Sequence, residues 1–361
     1  MIIKIIQIIP EFIKSISCRY YYYIKINPLQ KYKFLIFFLT LFKTGVSILK
    51  LLYLIILLHK YKNKVKKSKI KNAILIADIE TPIKQIASSI KEKSIYENLS
   101  VINYSSKFNL KSEFLKSRHS FLLQDIYINS LIKGIRTNSK IFVFEGDKPE
   151  HIIVNYIFYI LNNTRIGMIQ WGSYIYSNLT LAQNFLPYDT YIVKSFLYKN
   201  VIARAVTYSK KKEFIICNYQ KIKLSKEGAK SLFIVGQPLF HNEIFPPNFV
   251  RDGNLISYHK ALKILFRRIK KTYPSDRLIY IKHPKEKNIV SNELLFDEQL
   301  YLKDLEKELN HNSIFYGFYS SLLVDLHRSN AKIILCCDKY KGTIFNMLLD
   351  KENVFHRPIQ C

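Results

Sequence analysis

Residues 277–287 read RLIYIKHPKEK. An apolar run ends at Lys282 and passes straight into His283 and Pro284. The run predicts a β-strand over 278–282, and the proline fixes the turn that follows it. Lys282 and His283 therefore stand at the carboxyl end of a strand. In open α/β sheets that end is where ligands bind. Two cationic side chains there suit an anion such as a phosphate. The dipeptide alone decides little, because composition predicts about 0.3 His-Pro pairs in a chain with 9 His and 11 Pro. The surroundings have to carry the reading.

Working outward, the second half of the chain alternates strands and helices. Strands are expected at 232–235, 278–282, 313–316 and 332–336, and helices at 255–271, 301–309, 322–328 and 343–350. The first half does the same. Strands are expected at 73–77, 99–104, 140–144 and 165–170. Helices are expected from Pro82 to about residue 93, over about 110–135 and over 149–161. Thr81 suits an N-cap with Pro82 at the first helical position. Continuous apolar strands alternating with helices predict parallel sheets covered on both faces. The expected fold class is α/β, two doubly wound Rossmann-like domains with a cleft between them (the GT-B plan), preceded by a hydrophobic, basic helical region. Three domains follow: 1–71 helical and membrane-associating, 72–230 Rossmann-like on the acceptor side, and 231–361 Rossmann-like and nucleotide-sugar-binding. Within the second, 199–230 is rich in lysine, with β-like runs at 201–208 and 214–219. It is expected to form a basic inter-domain segment or hairpin.

The chain has 361 residues, 48% hydrophobic, with a formal charge of +29. That content excludes global disorder. Residues 1–72 hold 15 Lys and Arg against one acid, Glu11, a net +14. Only 11 of the 56 basic residues are Arg. Arg is the usual base reader, so a lysine-dominated excess argues against sequence-specific nucleic-acid binding. Five cysteines (Cys18, Cys217, Cys336, Cys337, Cys361) show no CxxC spacing and fit reduced thiols of a cytoplasmic protein.

Residues 34–58 are long and apolar enough to span a bilayer. Lys43 and Lys50 interrupt them, seven residues apart and so on one helical face. Lys60, Lys62, Lys64, Lys66, Lys67, Lys69 and Lys71 follow. A cationic stripe and a polybasic run favour a helix lying on an anionic cytoplasmic membrane surface, held largely by charge. A tilted spanning helix and a soluble helical hairpin packed on the globular domain are the alternatives. The expected location is the cytoplasmic face of the inner membrane.

Three sites fall at predicted strand ends. Glu145-Gly146-Asp147 follows the strand at 140–144, and a carboxylate there can take a proton from an acceptor hydroxyl. His283 can donate to a phosphate. Ser320 and Ser321 stand where a helix begins, after Gly317 and Tyr319, and can cradle an anion; equally, they can simply cap that helix. His283 and Ser320 lie one strand–helix repeat apart, so neighbouring strand ends are expected to share one phosphate. There is no DxD motif to signal a metal-bridged diphosphate, no P-loop, no GxGxxG and no GxSxG elbow.

Glu145-Gly146, Lys282-His283-Pro284 and Ser320-Ser321, in that order, resemble the motifs of bacterial sialyltransferases and polysialyltransferases, especially the family-52 type that decorates lipooligosaccharide. Thr81-Pro82 and Gly236-Gln237-Pro238-Leu239 also look like that group. The resemblance covers about residues 73–350. It implies a GT-B fold, a CMP-activated sialic acid donor, inversion, and neither metal nor cofactor. Glu145 would be the general base. His283 would bind the CMP phosphate and assist its departure, with Ser320 and Ser321 on the same phosphate. Lys282, Pro284, Gly317, Tyr319, Gly236 and Gln237 would complete the donor site. The family has two acids before the glycine; here Phe144 takes the first place and Asp147 follows the glycine, which makes Asp147 the alternative base. The acceptor would be a glycan or glycolipid of a lipooligosaccharide or capsule, at an anionic membrane surface, with no nucleic acid partner. Tyr319-Ser320-Ser321 with Asp325 also resembles the CDP-polyol phosphotransferases of teichoic-acid synthesis. A non-catalytic membrane-surface protein of polysaccharide assembly is the third alternative.

Overall fold

The computed structural model describes residues 1–26, 33–62, 72–77, 83–92, 96–103, 125–144, 149–170, 188–205, 213–217, 222–226, 228–236, 258–283, 296–301, 304, 308–318, 320–336 and 352–357. The chain forms two compact units that meet in sequence near Tyr219 and Gln220.

In the first unit, α1 (Ile2–Ile26) and α2 (Lys33–His59) precede a six-stranded sheet. Its strands are β1 (Asn72–Ala77), β2 (Asn98–Asn103), β3 (Lys140–Phe144), β4 (Gly167–Ile169), β5 (Thr190–Val193) and β6 (Glu213–Ile216). Helices α3 (Ile83–Glu92), α4 (Asp125–Thr137), α5 (Pro149–Asn162) and α6 (Phe196–Ala205) connect them. The strand order is β2-β1-β3-β4-β5-β6, with every pairing parallel. A central strand covered on both faces must be apolar throughout, and KIFVF in β3 is buried at all five positions. Lys140 is tolerated there because it ion-pairs with Asp189 just before β5. Burial pushes the Lys140 ammonium below its ordinary value while Asp189 pulls it back up.

Asparagines end the connecting helices. Asn138 and Asn163 follow α4 and α5 in the left-handed region, at φ 48 and 58. Asparagine is among the few residues that enter that region readily. The Ser139 N–H then returns to the Gly134 carbonyl (3.0 Å) and closes α4.

Two expectations for 190–219 change. Residues 196–205 are helix α6, and residues 201–205 of the β-like run belong to it. The reason is periodicity: Tyr198 and Ile202, four apart, are buried on one face. Residues 213–216 form the parallel edge strand β6 and not half of a hairpin. The basic inter-domain segment is thus partly sheet, and β5 was not anticipated. The N-terminal helices also belong with the first unit, because α1 and α2 pack on each other and on α5.

The second unit is a separate six-stranded parallel sheet. It contains β7 (Ser231–Val235), α7 (Tyr258–Thr272), β8 (Arg277–Lys282), β9 (Glu298–Tyr301), β10 (Ile314–Gly317), α8 (Ser321–His327), β11 (Lys332–Leu335) and β12 (Val354–His356). The helix expected over 301–309 does not start at Tyr301, which closes strand β9. The helix expected at 343–350 lies outside the described residues. The observed order is β12-β11-β10-β7-β8-β9. Counted within this unit from its first strand, that is 3-2-1-4-5-6, the Rossmann order.

Candidate functional site

The strand order reverses once in each sheet, and in open α/β sheets such a reversal is where ligands bind, at the carboxyl ends of the strands. In the second sheet it lies between β7 and β10. Val235 is level with Ile281 on one side and Gly317 on the other. The ladder continues one residue further, where the Gly236 N–H donates to the Ile281 carbonyl (2.8 Å) and the Cys336 N–H to the Gly317 carbonyl (2.8 Å). Gly236 therefore ends the middle strand, with His283 beyond β8 on one side and Ser320 beyond β10 on the other.

This corrects one expectation. β8 and β10 are not neighbours; β7 runs between them. Two inter-strand steps separate their backbones by about 10 Å. A single phosphate can be shared only across the end of β7, and the residue there is glycine, with no side chain to rise between the two walls.

Ser320 is 4% exposed. Its Oγ accepts from the Leu322 N–H (3.3 Å), and its carbonyl accepts from the Leu323 N–H (3.0 Å). It is a true N-cap of α8 in extended conformation. Capping uses an oxygen lone pair, so the hydroxyl proton remains a donor. Ser321 opens α8. Gly317 has a packing reason: a Cβ there would sit 2.8 Å from Leu323 Cδ1, so the absent side chain lets α8 close onto β10. Asp325, in the polyol-transferase pattern, ion-pairs with Arg328 on α8 (3.1 Å).

Lys282 goes elsewhere. Its ammonium lies 5.9 Å from the Tyr301 ring centre on β9. That is the side of β8 away from β7, so Lys282 is not brought to the Gly236–Ser320 side. His283 is half-buried just past the strand end. Pro284, Gln237 and Tyr319 lie outside the described residues. Cys336 is buried and its thiol is pushed up to about 12 by that burial. It therefore stays a neutral thiol near neutral pH. Cys18, Cys217 and Cys336 are free thiols among the described residues.

In the first sheet the reversal falls between β1 and β3. Phe144, the last residue of β3, is buried there. Glu145, Gly146 and Asp147 follow it in sequence and lie outside the described residues, as do Thr81 and Pro82. Two further polar residues stand at strand ends of this sheet. Gln170 follows β4, is fully buried, and accepts from the Lys194 N–H through Oε1 (3.1 Å). Lys194 itself, just beyond β5, is buried. Neither belongs to a recognisable motif; the only sequence signal is a polar residue directly after an apolar strand.

A scan of protein-family models matches none to this chain, and no curated protein is significantly similar to it in sequence.

Proposed function

We propose that this protein is an inverting glycosyltransferase that moves sialic acid, or a related nonulosonic acid, from a CMP-activated donor to a surface glycan. The observation that supports a nucleotide site most is the Rossmann strand order of the second unit. It sets Gly236 directly after β7 and Gly317 at the end of β10, the two strands that flank the reversal. The choice of a CMP donor rests on the motif resemblance.

In this reading the CMP phosphate approaches the Gly236 backbone and accepts a hydrogen bond from the Ser320 hydroxyl. His283, as an imidazolium, offsets the charge that grows as CMP departs. Glu145 takes the proton of the acceptor hydroxyl. The acceptor oxygen bonds to the anomeric carbon on the face opposite the breaking C–O bond, and the electron pair leaves with CMP. A CMP donor carries one phosphate, so the pathway has no diphosphate for a metal to bridge.

The test is a thermal-shift panel with CMP, CDP, UDP and GDP. CMP-selective stabilisation is expected, and His283→Ala should remove it without lowering the unliganded melting temperature. A CDP preference would replace sialyl transfer with polyol-phosphate transfer. No response to any nucleotide would defeat both.

A further inference from the structure

Helix α2 is turned inside out relative to a surface helix of a soluble protein. Thr40, Thr44 and Ser47 are buried, together with Ile36, Leu51, Leu54, Ile55 and Leu58. Phe34, Phe37, Phe38, Leu41, Phe42, Leu49 and Ile56 are exposed. At about 100° per residue these residues share one half of the helix circumference. Fractional exposures of 76% at Phe34, 70% at Phe42, 68% at Leu49 and 71% at Ile56 run the whole length of that face. A contiguous apolar face of this extent marks an interaction surface.

The opposite face is committed. Tyr20 Oη and Ser47 Oγ hydrogen-bond (2.9 Å) between α1 and α2. On α5, Phe12 packs edge-on against Tyr156 (5.2 Å), Ser15 Oγ meets Tyr156 Oη (3.1 Å), and Lys4 donates to the Tyr159 carbonyl (2.7 Å). Glu11, the sole acid of the first 72 residues, is paired with Arg165 (2.6 Å). With that acid neutralised, the hairpin offers only cations to its surroundings. Lys43 and Lys50 flank the apolar face, and seven lysines follow between residues 60 and 71.

From this arrangement we propose that the exposed face of α2 docks into the surface of an anionic phospholipid bilayer, with the helix axis in the plane of the membrane. Charge selects the occupant. A second copy would set one region of net +14 against another, whereas an anionic lipid surface attracts it. Geometry selects the orientation. Phe34 and Ile56 lie about 33 Å apart along the axis, and only a surface parallel to that axis covers both. A spanning α2 would have to carry α1 and α5, which pack on its inner face, into the bilayer with it. The apolar face supplies most of the attachment and the lysines its lipid preference.

Two measurements test this on the full-length protein. Flotation with vesicles of phosphatidylcholine and phosphatidylglycerol (3:1) should capture the wild type, and pure phosphatidylcholine should capture it at least tenfold less. Phe42→Glu with Leu49→Glu should weaken capture at least tenfold while circular dichroism stays unchanged, since both positions are exposed. Undiminished binding by the folded double variant, indifference to phosphatidylglycerol, or a stable dimer that ignores vesicles would each overturn the proposal. For orientation, a single tryptophan is placed at position 34, 49 or 56 in a Trp171→Phe background and quenched with brominated lipids. Equal, shallow depths are expected at all three. Shallow positions 34 and 56 with a deep position 49 would establish a spanning helix instead.

Discussion

Replacing Gly317 by alanine probes the scaffold that holds Ser320 in place. The new methyl would lie 2.8 Å from Leu323 Cδ1, 3.3 Å from Cδ2 and 3.4 Å from Cγ. Comfortable carbon contacts begin near about 3.5 Å, so the leucine tip must retreat by about 0.7 Å. Leu323 is fully buried, and a close-packed interior resists such a shift at about 1–3 kcal/mol. Gly317 has no positive φ among the backbone exceptions, so alanine also gains about 0.4–1 kcal/mol from the unfolded chain. The net expectation is about 1–2 kcal/mol of destabilisation. Leu323→Ala alone should cost about 2–5 kcal/mol. In the double variant the new methyl enters the space that the leucine leaves, so the two effects should fall short of their sum by about 1–2 kcal/mol. Hydrogen exchange of the β10 and α8 amides reads this locally, apart from the first unit. A single-variant cost below about 0.5 kcal/mol with an additive cycle would refute the claim that this contact sets the approach of α8.

Ser320→Asp keeps an N-cap acceptor but sets a carboxylate against the proposed phosphate; α8 should persist by hydrogen exchange while CMP stabilisation disappears, and retained CMP binding would remove Ser320 from the donor site. Glu145→Gln should lower kcat with little change in donor affinity; if Asp147→Asn gives that signature instead, Asp147 is the base. At Asp297, burial alone would raise the carboxyl, but the Lys270 ammonium (2.8 Å) and the Leu278 N–H (2.7 Å) outweigh it and hold the group below 3.8. A carboxyl depressed in the folded state adds stability that is present above 3.8 and lost as pH falls through the lowered value. Urea midpoints between pH 5 and pH 2.5 should therefore fall more steeply for wild type than for Asp297→Asn, and identical slopes would contradict the assignment.

Much of the α/β pattern was legible because doubly buried strands are written as unbroken apolar runs. AILIA, KIFVF and the residues before Lys282 admit few other readings. What a run cannot express is which strand lies beside it. His283 and Ser320 read as adjacent because they are one repeat apart in the chain, yet chain order and spatial order part at the reversal, where β7 comes between them. β9 was missed because EQLY is a half-exposed strand at the sheet's edge and carries no apolar run. Residues 201–205 were misread because Val201 and Ile202 favour strands locally, and tertiary burial overrides that preference. In α2 the spacing of Lys43 and Lys50 correctly put both on one side. Which side faces α5 depends on partners more than a hundred residues away.

Helix α5 carries a practical consequence. Ten of its residues are buried, His151, Asn155 and Tyr156 among them, because α4 and the α1–α2 hairpin pack against it. A helix with almost no wet face cannot do without either neighbour. Cutting the chain at residue 72 would bare Tyr156 and leave Arg165 without Glu11. The expected product is insoluble aggregate rather than a smaller folded protein. A soluble form is better sought by changing the outward residues of α2, which leave that shared interior untouched.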